Sequence, residues 1–175
     1  MRWIIEKANE IRRKYGSEDL ELVASKLGAE VIEMPLGKII KEAYFKDLKV
    51  IAVDPNLHPY KKRHLIAHGL AHHLFHRKKK ANYFLNDKDD YFNRLKVREK
   101  EREAELFAAY YLIPEEKLNK ILEEEWVQES PDPIPALAEE FQVSENFMRK
   151  RLEFGKLLNQ IASKILSCHI SSRSS

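Results

Sequence analysis

Cysteine is all but missing from this chain: Cys168 is the only one among 175 residues. No internal disulfide can form, and a thiolate-rich metal site is excluded. Any metal must therefore be held by histidine and carboxylate. Long apolar runs are also absent. Charges interrupt every segment well before about 18 apolar residues accumulate, and the stretch MRWIIEKANEIRRKYG is amphipathic rather than continuously apolar. The expectation is a soluble, cytoplasmic protein with no membrane partner. Nor does one charge dominate. Lys+Arg 31 against Asp+Glu 28 leaves +3, a balance that neither demands nor excludes nucleic acid. Glycine is scarce, 5 in all, so a glycine inside a helical run, Gly69, stands out.

What is present describes a folded domain. Apolar residues make up 43% and charged residues 34%, a composition that buries a core beneath a densely charged surface. The length suits one compact unit with a helical appendage. Ile4, Ala8 and Ile11 fall at helical spacing before Gly16, predicting a first helix. A second is expected to start at Ser17 as N-cap and to stop at Gly28, followed by a short strand, Glu30 to Glu33. The run KEAYFKDLKVIAVDP reads as a hairpin turning around Lys46, Asp47 and Leu48. A long helix is expected from Pro59 to Arg77, then an aromatic-bearing loop from Ala81 to Asn93, a helix from Leu95 to Leu112, and another opened by Pro114.

The segment RHLIAHGLAHHLFHRKKK carries His64, His68, His72, His73 and His76. Residues four apart on a helix drift by only about 40°, so His64, His68, His72 and His76 form one stripe at the edge of the apolar face. His73 points to a different arc and reads as a bystander. His68 and His72, one turn apart, can converge on one tetrahedral zinc; surface histidines on an amphipathic helix are the plainer alternative. A third ligand is sought in VREKEREAELFAAYYLIP. There the apolar arc is set by Ala104, Phe107, Ala108 and Tyr111. Glu103 falls inside that arc, whereas Glu101 and Glu105 are expected to point away, and Glu99 is a weaker candidate. A carboxylate facing a core needs a cation, either a metal or a neighbouring Arg or Lys. Two histidines on one helix and a glutamate on a later one match a catalytic zinc layout. In the H-E-x-x-H motif the residue after the first histidine is the general base that takes a proton from the attacking water. Here that position is Gly69.

These residues resemble the ImmA/IrrE family of zinc metallopeptidases. The likeness runs through ASKLGAEVIEMP, KVIAVDPNLHPYKKRHLIAH, EREAELFAAYYLIP and LAEEFQVSENFMRKRL, and so covers most of the chain. It implies ligand roles for His68, His72 and Glu103, with His64, His76 and Glu99 as secondary candidates, and it carries no general base onto Gly69. It further implies a cytoplasmic zinc endopeptidase, often encoded with mobile elements, that cleaves a helix-turn-helix repressor. Loss of a general base forfeits about 10²- to 10⁴-fold in rate, so activity is expected to be impaired or lost. Natural decay, an introduced change and rescue by Glu99 remain open explanations of Gly69, as does close packing against the helix.

The segment IPALAEEFQVSENFMRKRLEFG has a helix, a short turn and a second helix capped by Ser144, with Arg149, Lys150 and Arg151 on that second helix. This is a helix-turn-helix pattern, or simply two amphipathic helices packed on the core. The expected fold is α+β and zincin-like: a small antiparallel sheet of about three strands on long helices. Residues 1–128 would form the metallopeptidase domain, 129–167 the helix-turn-helix-like region and 168–175 a frayed tail. The expected cofactor is zinc and the expected partner a repressor-type protein, with DNA as a further candidate. The alternative function is a non-catalytic zinc-binding regulatory or DNA-binding protein.

Overall fold

The computed structural model describes residues 1–37, 40–76 and 91–156, with only the backbone described for 91–97. Segment 77–90, which holds most of the expected aromatic loop, and the tail from 157, which includes Cys168, lie outside the described residues.

The elements follow from local chemistry. Helix α1 (Arg2–Tyr15) buries Ile4, Ala8 and Ile11, the face its spacing announced, and Gly16 ends it at φ 79. Helix α2 (Leu20–Lys26) starts two residues later than expected, because Asp19 rather than Ser17 is the cap: its carboxylate accepts from the Leu22 amide at 2.9 Å. Three strands follow: β1 (Glu30–Glu33), β2 (Glu42–Phe45) and β3 (Val50–Val53). Next come α3 (Pro59–Ala71), a π-helical turn at His72–His76, α4 (Tyr91–Leu112), α5 (Glu115–Leu122), α6 (Glu125–Glu129) and α7 (Ile134–Glu140). Residues 145–156 form the described part of α8.

The fold is α+β, as expected, but the sheet is mixed rather than antiparallel. Its order is β1-β3-β2, with β1 parallel to β3 and β2 antiparallel to it. The hairpin β2–β3 does form. Its second strand then inserts beside β1, because VIAV is apolar on both faces and belongs at the centre, where all four residues are buried. The pleat matters for the site. Glu42 and Tyr44, two apart on β2, share one face with Ile51 and Val53, their register partners on β3, and that face lies against α3.

Helix α4 packs against both α1 and α3. Every residue from Leu106 to Ile113 is buried, so this helix has no solvent face along its second half. Ala104 and Ala108 are fully buried and present little bulk to the neighbouring helices. The α7–α8 unit docks on the same core. Arg151, 2% exposed, lies 3.6 Å over the Tyr110 ring, and its Nε donates to the Ile113 carbonyl at 2.9 Å.

Candidate metal centre

The α-helical part of the histidine segment ends at Ala71, and the next five residues are π-helical. The expected α-helix through Arg77 is thus interrupted. A π turn holds an extra residue per turn, which re-aims the side chains after it. His64, His72, His73 and His76 are at most 4% exposed and His68 is 9% exposed. Buried imidazoles require partners, and α4, β2 and the π turn provide them.

His68 and His72 converge on Glu101. His68 Nε2 lies 3.3 Å from Glu101 Oε2, and His72 Nε2 lies 3.3 Å from Glu101 Oε1. One donor atom from each of the three residues falls within 4.8 Å of the others. A tetrahedral ion with bonds of about 2.0–2.1 Å has ligand atoms about 3.3–3.4 Å apart, the separation found between each histidine and its nearer Glu101 oxygen. Glu103, expected as the third ligand, is elsewhere: its Oε2 accepts from His76 Nε2 at 2.8 Å. The reason is the packing of α4. The face at Glu101, Ala104, Glu105 and Ala108 follows the i, i+3, i+4, i+7 helical spacing. That face meets α3, whereas the arc used to select Glu103 assumed a helix buried on one side. Glu99, the secondary candidate, is exposed.

Each histidine nitrogen turned away from the triad is also engaged. His68 Nδ1 lies 3.1 Å from Glu42 Oε2, and His72 Nδ1 lies 3.0 Å from His76 Nδ1. Glu103 can only accept from His76 Nε2, so His76 Nδ1 is left to accept from His72. That leaves His72 Nε2 facing Glu101. Glu103 and His76 thus support His72 from behind, an arrangement that fixes ring orientation and tautomer at metal sites. Burial pushes the His76 pKa below its usual value, outweighing Glu103. For His68, burial opposes charging, but hydrogen bonds to Glu101 and Glu42 outweigh it and raise its pKa to about 10 in the metal-free protein. The Glu101 carboxyl is held far below its usual range: burial would raise it, and the two histidines more than reverse that.

His64 lies outside the triad. Its Nε2 is 2.9 Å from Glu105 Oε2, and its ring lies 3.8 Å from the Phe147 ring. Burial lowers the His64 pKa against the pull of Glu105. Glu105, expected to face solvent, accepts from Lys150 at 2.7 Å as well. Burial would raise the Glu105 carboxyl, but His64 and Lys150 bring it to about 2. His73 is an anchor for the fold: the Leu27 carbonyl accepts from its Nε2 at 3.1 Å, and Tyr44 Oη meets its Nδ1 at 2.8 Å.

Two residues escaped the sequence reading. For Glu101 a signal existed: E101-x-x-x-E105 matches the four-residue repeat of the histidines, with alanines at 104 and 108 permitting close approach. For Glu42 the only hint was a carboxylate sharing a strand face with Tyr44. Beside the triad an open cleft of about 440 Å³ is lined by His68, Glu101, Arg102, Glu105, Lys150, Glu153 and Phe154.

Among the described residues no helix is long and apolar enough to cross a membrane. No curated protein matches the chain. Among solved structures, a Mycobacterium tuberculosis transcriptional regulator superposes with a TM-score of 0.62 at 20% identity over 84% of this chain. The match spans 45% of that regulator, less than half its length, and the likeness is one of fold. The Peptidase_M78 family model, described as the IrrE N-terminal-like domain, matches residues 24–153. That span contains the sheet, His68, His72, Glu101 and α7, so the chain belongs to the IrrE N-terminal-like domain family.

Proposed function

We propose that this protein is a zinc-holding member of a peptidase family whose hydrolytic power is impaired or lost, and that it engages a helix-turn-helix repressor as substrate or partner. One observation carries the reading: His68, His72 and Glu101 each bring a donor atom within 4.8 Å of the others, while position 69 has no side chain. Two imidazoles and one carboxylate suit zinc, and His68 and Glu101 also line the cleft. Zinc, when bound, supplies a Lewis acid that polarises a carbonyl. His68, His72 and Glu101 would hold that acid. None of the described donors occupies the helix position from which the family's general base would act.

A repressor-type partner is favoured over DNA. Of the basic residues on the described part of α8, Arg151 is buried on Tyr110, Lys150 pairs with Glu105 and Arg149 lies 3.6 Å from Asp132, while Lys156 is exposed. Three of the four are thus already engaged, which weakens phosphate neutralisation by this helix. The similarity to a transcriptional regulator agrees with a role in transcription. The test is to measure zinc content, repressor binding and repressor cleavage on the same protein. About one zinc per chain, a stable complex and cleavage at least about 10²-fold below that of a family member carrying the glutamate are expected. Cleavage at the full rate of such a relative would refute the reading.

A further inference from the structure

Strand β2 delivers a second carboxylate to the metal centre. The Glu42 side chain is 9% exposed, and its Oε2 lies 3.1 Å from His68 Nδ1. Its other oxygen, Oε1, is buried without a hydrogen-bond partner among the described residues. The room for this carboxylate comes from position 69. A Cβ built on Gly69 would stand 3.0 Å from Glu42 Oε1 and 2.6 Å from Ile51 Cγ2. Ile51 is fully buried in the central strand, and a β-branched side chain in a close-packed interior has no free rotamer to retreat into. The glycine therefore opens the space in which the carboxylate lies.

We propose that Glu42 is a positioning residue for the metal and that Gly69 serves the site by admitting it. Glu42 Oε2 accepts the His68 Nδ1 proton, which fixes the ring and turns Nε2 toward Glu101 and His72. The vacant helix position is then part of the site's construction: a strand carboxylate behind His68 fills the space beside the place where a helix side chain would begin. Outer partners of this kind raise ligand basicity and hold the ring's orientation. The inference rests on the proposed metal reading of His68, His72 and Glu101.

The test is a zinc-competition titration on the full chain, paired with the visible spectrum of the cobalt-substituted protein as a readout of coordination geometry. Glu42→Gln should weaken zinc binding about 10- to 100-fold and alter the cobalt spectrum. Gly69→Ala should produce a similar loss although it removes no donor. In a Glu42→Ala background, adding Gly69→Ala should cost less affinity than it does alone, the part due to displacing the carboxylate being gone and only the Ile51 contact remaining. Wild-type affinity and spectrum in both single variants, or fully additive losses, would overturn the proposal. Should Glu42→Ala fail to fold, the near-isosteric Glu42→Gln and Gly69→Ala still decide it. His72→Ala and Glu101→Ala separate the two levels. If they too bind zinc as wild type does, the metal reading fails; if they abolish binding while the Glu42 and Gly69 variants do not weaken it, only the positioning role fails.

Discussion

The seam between α3 and α4 carries histidine–glutamate clusters at two places, and they do different work. At one, His64 meets Glu105 and is closed over by Phe147 and Lys150. At the other, His68 and His72 share Glu101 beside an open cleft. Residue types and the four-residue spacing are the same, although His72 sits on the π turn that follows α3. The difference lies in what completes each cluster. A single imidazole paired with one carboxylate and capped by an aromatic ring is a satisfied core group. Two imidazoles whose outer nitrogens are held by Glu42 and by His76 turn their inner nitrogens toward one carboxylate, and that geometry suits a cation once His68 gives up its proton.

Mutating the two clusters in parallel should separate them most strongly. His72→Ala should abolish stoichiometric zinc binding, whereas His64→Ala should retain about one zinc per chain and lose about 2–3 kcal/mol of unfolding free energy through the cavity and the lost hydrogen bond. Metal analysis and urea denaturation read the two effects independently. A smaller effect is expected at the glycine between them. Gly69→Glu gains about 1 kcal/mol in helix propensity but meets Ile51 and Glu42, and overpacking of this kind costs about 1–3 kcal/mol. Denaturation should therefore show a neutral to modestly destabilised protein. Repressor cleavage should stay absent unless Glu42 is also shortened; cleavage by the single variant would mean that the site yields more readily than its packing implies.

The pH response should also divide the seam. In the metal-free protein the His68 pKa is raised from 6.5 to about 10. Its stabilising contribution is thus fully present below about pH 6.5 and lost as pH rises through 10. His64 is lowered from 6.5, so its contribution is present above 6.5 and lost as pH falls through the depressed value. Thermal unfolding across pH should show Glu42→Gln blunting the alkaline loss and Phe147→Leu altering only the acid side. Because His68 must give up its proton to hold zinc, binding near pH 8 should release a proton into the buffer. Calorimetry in buffers of different ionisation enthalpy detects that release.

Much of this was legible along the chain. Ile4, Ala8 and Ile11 announced α1, and VIAV announced a strand. The pair His68 and His72 was legible because helical spacing alone brings them together. Strand order was not: the apolar run at Val50 to Val53 suits a central strand, but its parallel neighbour is set by the crossover from β1. The π turn at His72–His76 left no local signature. Glu101 was missed because helical periodicity was read as one buried arc, whereas α4 is packed on both sides. Glu42 was missed because its burial depends on a helix 26 residues away and on the absence of a Cβ there.

The most direct measurement compares zinc affinity in Glu101→Ala and Glu103→Ala. With Glu101 as ligand and Glu103 acting through His76, the first substitution should abolish tight binding and the second should weaken it about 10-fold. Abolition by Glu103→Ala with binding intact in Glu101→Ala would contradict the arrangement described above.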